Sequence, residues 1–296
     1  MKVMKRIASY YLPLILFLGL CLLLSCFVVK YSNNFPQILN VAFGAVIGSS
    51  VGFFLSYYTR KNFDRDNRIT YLRLALRGVE IVVTQLITIK SQHVLPKIEV
   101  MKDFSDELDW GKLKTWLAQD GKEKVLSEIA DPDIKIYLDR NECFKVLDHD
   151  LGNFREKLDE MMLCYIWLEV NLSSLNAVKD INRNLCLETK NRYLNSIAND
   201  TNEAAGDVVK RSILQGLLDI KDTNKALLSF VNLSLVFAEL FCLILKQYLS
   251  EVSPGDKKRF RKPPITNKFK YYLTTDEEKR KILSGQLSWL YEKYYT

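Results

Sequence analysis

Residues able to do acid–base or metal chemistry are few in this chain. There are two histidines, and only His149 has acidic neighbours, standing between Asp148 and Asp150. Written out, that triplet could be an acid–base or metal cluster. On a helix, however, successive side chains point about 100° apart, so the three do not converge and read as a solvated polar turn. His93 is read as a lone loop histidine. Of six cysteines, Cys21 and Cys26 fall in the first apolar run. Cys143, Cys164, Cys186 and Cys242 are scattered singly among apolar neighbours. No CxxC pairs them, and a buried free thiol behaves as a small hydrophobe. The phosphate-cradling GxxxxGK[ST] pattern is missing, as are HExxH, GxSxG and GxGxxG. The expectation is a protein that is not an enzyme, with no catalytic residue, cofactor or metal.

What does recur at regular spacing is the lack of a side chain. Gly44, Gly48 and Gly52 stand four residues apart in an apolar run from Ile38 to Tyr57. On a helix the same side carries Asn40 and Ser56, with Ala45 and Ser49 beside it. Such a small-residue stripe lets another helix backbone approach closely, so that van der Waals packing drives association where lipid supplies no hydrophobic drive. The partner is either another span of the same chain or a second copy. The second pattern is a basic run, Lys257, Lys258, Arg259, Phe260, Arg261 and Lys262. It suits an anionic leaflet, where each charge is worth about 1 kcal/mol. It also suits nucleic-acid phosphate, although no RNA- or DNA-reading motif accompanies it. A third use is to pin the tail to an acidic body.

The charge distribution separates these regions. Residues 1–60 hold five basic and no acidic residues, and residues 257–270 hold seven basic and no acidic ones. The whole chain of 296 residues is only +7, so the remainder is mildly acidic. The basic balance therefore describes two islands around an acidic body.

Elements able to position these features follow from hydropathy. Ala8–Val29 runs for 22 residues without a charge, enough to cross a hydrocarbon core about 30 Å thick. A second span is expected at about 37–58, joined to the first by the polar KYSNNFP connection at 30–36. Basic residues precede the first span and follow the second, so the positive-inside rule puts both termini in the cytoplasm. Leu23-Leu24-Ser25-Cys26 is similar to a lipoprotein cleavage box. Against cleavage, the apolar run continues past Cys26 and a second span follows at once. Ala226–Leu245 is apolar enough for a third span but carries Asn232 and Glu239, and a central carboxylate costs about 3 kcal/mol on insertion scales. A third crossing would also put Lys257 to Lys262 outside. It is read as a buried core helix with Glu239 paired or facing polar neighbours.

The fold class expected is all-α, an N-terminal transmembrane hairpin followed by a cytosolic helical domain. Its divisions are 1–60 (hairpin), 61–95 (juxtamembrane helix), 96–252 (helical domain) and 253–296 (basic segment and C-terminal helix). Ile69, Leu72, Leu76, Val79, Val83 and Leu86 recur at three- and four-residue steps, the mark of a helix opening the body's core. Helices are read at about 122–130, 133–148, 151–179, 180–198 and 203–222. Within them Phe154, Leu158, Met161 with Met162, Tyr165, Leu168, Leu172 and Leu175 keep a helical period. Clean two-residue alternation is scarce, so little or no sheet is expected. Thr275 and Glu278 make a capping box for a last helix at about 276–294.

This architecture, with Gly44, Gly48 and Gly52 in the second span, resembles the two-transmembrane effector proteins of bacterial anti-phage systems, retron-associated ones included. The three glycines alone carry a local likeness, to the glycine zippers of membrane-active proteins. The resemblance implies a multi-pass inner-membrane effector held quiet by a cytosolic protein or ribonucleoprotein partner, which on infection disrupts the lipid bilayer as a homo-oligomer. The alternative is a non-toxic membrane anchor presenting a helical protein-binding module.

Overall fold

Apolar residues at helical spacing need a partner surface, and the segment from Ile69 to Leu86 has one. In a computed structural model of the chain, Ile69, Leu72, Leu76, Val79, Val83 and Leu86 are all buried on one side of helix α1 (Gln37–Thr88). Each such aliphatic contributes about 1.5–3 kcal/mol relative to exposure. The structure describes Gly19, Leu23, Cys26, Lys30 and residues 37–102, 104, 110–118, 122–129, 133–136, 155–198, 203–252 and 274–296. Among these the regular structure is entirely helical.

The chain divides into two units, Met1–Arg68 and Ile69–Thr296. In the first, residues 37–68 are helical. The second is built on two long helices, α5 (Arg155–Ala198) and α6 (Glu203–Val252). At 1.5 Å per residue they run for about 66 and 75 Å. Four residues separate them, and they pack along each other as a helical hairpin. Short helices α2 (Leu95–Val100), α3 (Trp110–Trp116) and α4 (Lys122–Val125) lie between α1 and α5 in the chain. The chain ends with α7 (Asp276–Ile282) and α8 (Ser288–Tyr295).

The hairpin carries two separate apolar clusters. One joins the 69–94 segment to Met161, Tyr165, Leu168, Leu172 and Leu175 of α5, to Leu227–Leu249 of α6, and to Leu283, Leu290 and Tyr291. The other gathers Met101, Phe104, Leu113, Leu117 and Val125 against Cys186, Tyr193, Ile213, Leu217 and Ile220.

Several boundaries differ from the sequence expectation. The segments 151–179 and 180–198 are one helix from residue 155 to 198, and 203–222 and 226–245 are one helix from 203 to 252. No proline interrupts either pair. Residues 133–136, expected to open a helix, are irregular. Their backbone is instead held by Asn176, which donates to Ile134 O at 3.0 Å and accepts from Ile134 N at 3.2 Å. The last helix is broken between α7 and α8 at Gly285, whose φ of +66° is relaxed only for glycine. His93 lies in a π-helical turn, Ile89–Val94, rather than a loop. Pro96 follows in the first turn of α2, where its missing N–H is least harmful.

Two stretches among the described residues, Asp159–Ala198 and Asp207–Ser250, are long and apolar enough to cross a membrane. Neither belongs to the expected N-terminal hairpin. Residues 8–29 lie outside the described ones apart from Gly19, Leu23 and Cys26. The expected second span, 37–58, is helical but does not end at 58. In α6 the apolar residues Leu235, Phe237, Phe241 and Leu245 are buried within the protein, and a core helix of that kind passes the same length test.

Candidate functional site

The small-residue stripe sits on the α1 part of the first unit. Gly44, Gly48, Gly52 and Ser56 are exposed there. Among the described residues, no atom outside the helix's own backbone lies within 4 Å of where a Cβ on any of the three glycines would sit. Large apolar side chains on the same stretch are also bare, Phe53 at 76% and Tyr57 at 54% exposure. Phe54 and Tyr58, one turn apart, place their ring centroids 5.3 Å from each other. Asn40 is helical, its side chain outside the described residues. The run Lys257, Lys258, Arg259, Phe260, Arg261 and Lys262 is wholly outside them, as are Asp148, His149 and Asp150.

The second unit holds a feature that sequence reading saw only in part, a buried charged seam between α6 and the C-terminal helices. Glu239 faces Lys279 at 3.1 Å, both side chains 11% exposed. Burial pushes the Glu239 carboxyl up from its ordinary value, with Lys279 and then Lys90 opposing the shift. Asn232 donates to Glu278 Oε1 at 3.3 Å. Glu160 of α5, 2% exposed, accepts from both Lys293 and Tyr294. Lys90 is buried in the π-helical turn, and desolvation lowers its pKa against the pull of Glu278 and Glu239. Four buried polar atoms here, Asn232 Oδ1, Glu239 Oε1, Thr274 Oγ1 and Tyr295 OH, have no hydrogen-bond partner among the described residues. That Glu239 would be paired or face polar neighbours was legible from its apolar surroundings. Lys90 and Glu160 gave no such signal, because each reads as an ordinary polar position on an amphipathic helix.

A third arrangement fixes the irregular stretch before α5. Asn176, Lys179 and Arg183 follow one another at three- and four-residue steps. They hold Ile134, Asp133 (2.8 Å) and Glu128 (3.1 Å) respectively. Close by, Lys97 donates to Ser127 O and lies 3.8 Å from Cys186 Sγ. Burial lowers the Lys97 pKa and raises that of Cys186.

These groups bind one another and present no reacting constellation. Cys164 and Cys242 are buried, and desolvation pushes both thiols up to about 12, which keeps them unreactive. Cys26 is exposed. Among the described residues no three His, Cys, Asp or Glu side chains are grouped to hold a metal ion. Comparison of the chain with models of protein families, with characterised proteins and with solved structures gives no match.

Proposed function

We propose that the protein is a membrane effector of the bacterial defence type, in which residues 37–58 cross the inner membrane beside an N-terminal span. In this reading the second unit is a cytosolic helical body that binds a protein or ribonucleoprotein partner and governs the hairpin. One observation carries the reading: the 44–57 stretch of α1 combines an open glycine stripe with bare phenylalanine and tyrosine side chains. Water is a poor solvent for such a surface, whereas lipid suits its apolar residues. The glycines then offer a second copy the close backbone approach on which helix association in lipid relies. The experiment is induction of the full chain in a bacterium while membrane potential and growth are followed. Rapid depolarisation supports the effector. An unchanged potential, with the protein recovered in the membrane fraction and its partner absent, speaks against it.

A quiet anchor is the second reading. It is favoured by the apolar residues Ile166, Val170 and Ile181 exposed along α5, a face suited to holding another protein. Replacing residues 1–58 by an unrelated two-span hairpin would leave an anchor's function intact and abolish that of an effector.

A further inference from the structure

We propose that residues 274–296 form a detachable strap, which opens as a unit and uncovers Glu160, Glu239 and the Cys164 and Cys242 thiols while the rest of the body stays folded. The strap is knit to itself by contacts of its own. Thr275 and Glu278 close a reciprocal capping box. Tyr291 and Tyr295 stack with centroids 5.6 Å apart. Lys279 sits over the Tyr295 ring at 4.7 Å and Arg280 over Tyr291 at 5.3 Å. These contacts travel with the strap when it leaves.

Its attachment is of another kind. Helix α7 buries no residue, but Leu283, Leu290 and Tyr291 are buried in the first apolar cluster, with Ile282, Leu287, Tyr294 and Tyr295 packed against it. The remaining links are polar: Lys279 to Glu239, Glu278 to Asn232, and Lys293 with Tyr294 to Glu160. Burying charges this way returns little net stability, because desolvation offsets the attraction. The four atoms without a hydrogen-bond partner among the described residues, Asn232 Oδ1, Glu239 Oε1, Thr274 Oγ1 and Tyr295 OH, each carry a desolvation penalty that opening relieves. An internally consolidated terminal segment whose seat mixes apolar anchors with imperfectly satisfied polar groups is the kind that opens sub-globally, ahead of the two long helices. The proposal is independent of the membrane reading.

Three native cysteines report the motion. Cys164 and Cys242 belong to the apolar cluster that Leu283, Leu290 and Tyr291 of the strap join. Cys186 is as deeply buried but belongs to the other apolar cluster. The full chain, purified in detergent, is exposed to N-ethylmaleimide. Labelling of each cysteine is followed by peptide mass spectrometry and normalised to its rate in the unfolded chain. Cys164 and Cys242 are expected to label at least about tenfold faster than Cys186. Lys293→Ala combined with Tyr294→Phe, which removes both donors to Glu160, is expected to raise the first two rates about tenfold more and leave Cys186 unchanged. One common rate for all three, or a variant that accelerates all three equally, would show that the strap leaves only on global unfolding and would overturn the proposal.

Discussion

Gly216 of α6 and Thr189 of α5 meet with no space for a methyl group between them. A Cβ on Gly216 would overlap Thr189 Oγ1 and stand 3.2 Å from its Cγ2 and 3.3 Å from its Cβ. Thr189 is 1% exposed, so its branched side chain has nowhere to retreat. The two long helices thus come close together where one lacks a side chain, beside the second apolar cluster. Gly216→Ala gains up to about 1 kcal/mol of helix propensity, while overpacking costs about 1–3 kcal/mol. The expected balance is a loss of about 1–2 kcal/mol in urea unfolding of the detergent-solubilised chain. Thr189→Ala in the same chain should recover most of it. If Gly216→Ala proves stabilising, the helices do not approach as closely as described.

Gly216 also shows where the sequence stops being legible. It lies in an apolar run without a turn signal beside it, and only the distance to α5 reveals its purpose. Local grammar was readable: the period from Ile69 to Leu86 marks a buried face, and Thr275 with Glu278 marks a helix start that the structure shows in full. The need of Glu239 for a partner also followed from its apolar neighbours. Which lysine answers did not, because Lys279 reaches it across forty residues of chain. Likewise Asn176 draws Ile134 out of the helix its neighbours favour. Such tertiary competition for a backbone leaves no periodic trace. The glycine stripe was visible from spacing alone, while its occupant belongs to the proposal.

The Asn176–Ile134 pairing has its own consequence. Asn176 satisfies both the N–H and the C=O of one buried residue, Ile134, a geometry that no apolar side chain reproduces. Asn176→Leu would leave both groups without that partner, each costing about 1–3 kcal/mol where water cannot replace it. The expected result is a loss of about 2 kcal/mol and faster proteolytic cleavage near residue 134. The same resistance to protease as the parent chain would mean that the stretch is held by its apolar contacts instead.

Stability should also depend on pH in a direction set by Glu239. Burial raises its carboxyl in the folded protein, with Lys279 and Lys90 pulling the other way and Asp276 adding to the rise. The folded form therefore binds this proton more readily than the unfolded chain. That contribution is complete below the ordinary glutamate value, about 4.3, and is lost as pH rises through the folded value. Asp133 runs oppositely. Its hydrogen bond from Lys179 holds its carboxyl below the usual range, so its contribution is present above about 3.9 and disappears as pH falls. Glu239→Gln should flatten the stability profile on the side above pH 4.3, and Asp133→Asn should flatten it on the acid side. Unfolding midpoints taken from about pH 2 to 8 (about 0.5 apart) in the three proteins check both signs.

The stripe on α1 yields the sharpest test of the proposed effector. A Cβ at Gly48 meets no described atom within 4 Å beyond the helix's own backbone, so Gly48→Leu is expected to leave folding of the individual molecule intact. Leucine also favours both helix formation, by up to about 1 kcal/mol over glycine, and membrane insertion. What it obstructs is the close backbone approach of a second helix. The variant is thus expected to reach the membrane fraction in parental amounts, to give fewer oligomers on chemical cross-linking than the parent, and to abolish depolarisation. Gly48→Ala, which keeps the position small, should retain most of the activity. Normal insertion with undiminished toxicity in Gly48→Leu would remove the stripe from the mechanism.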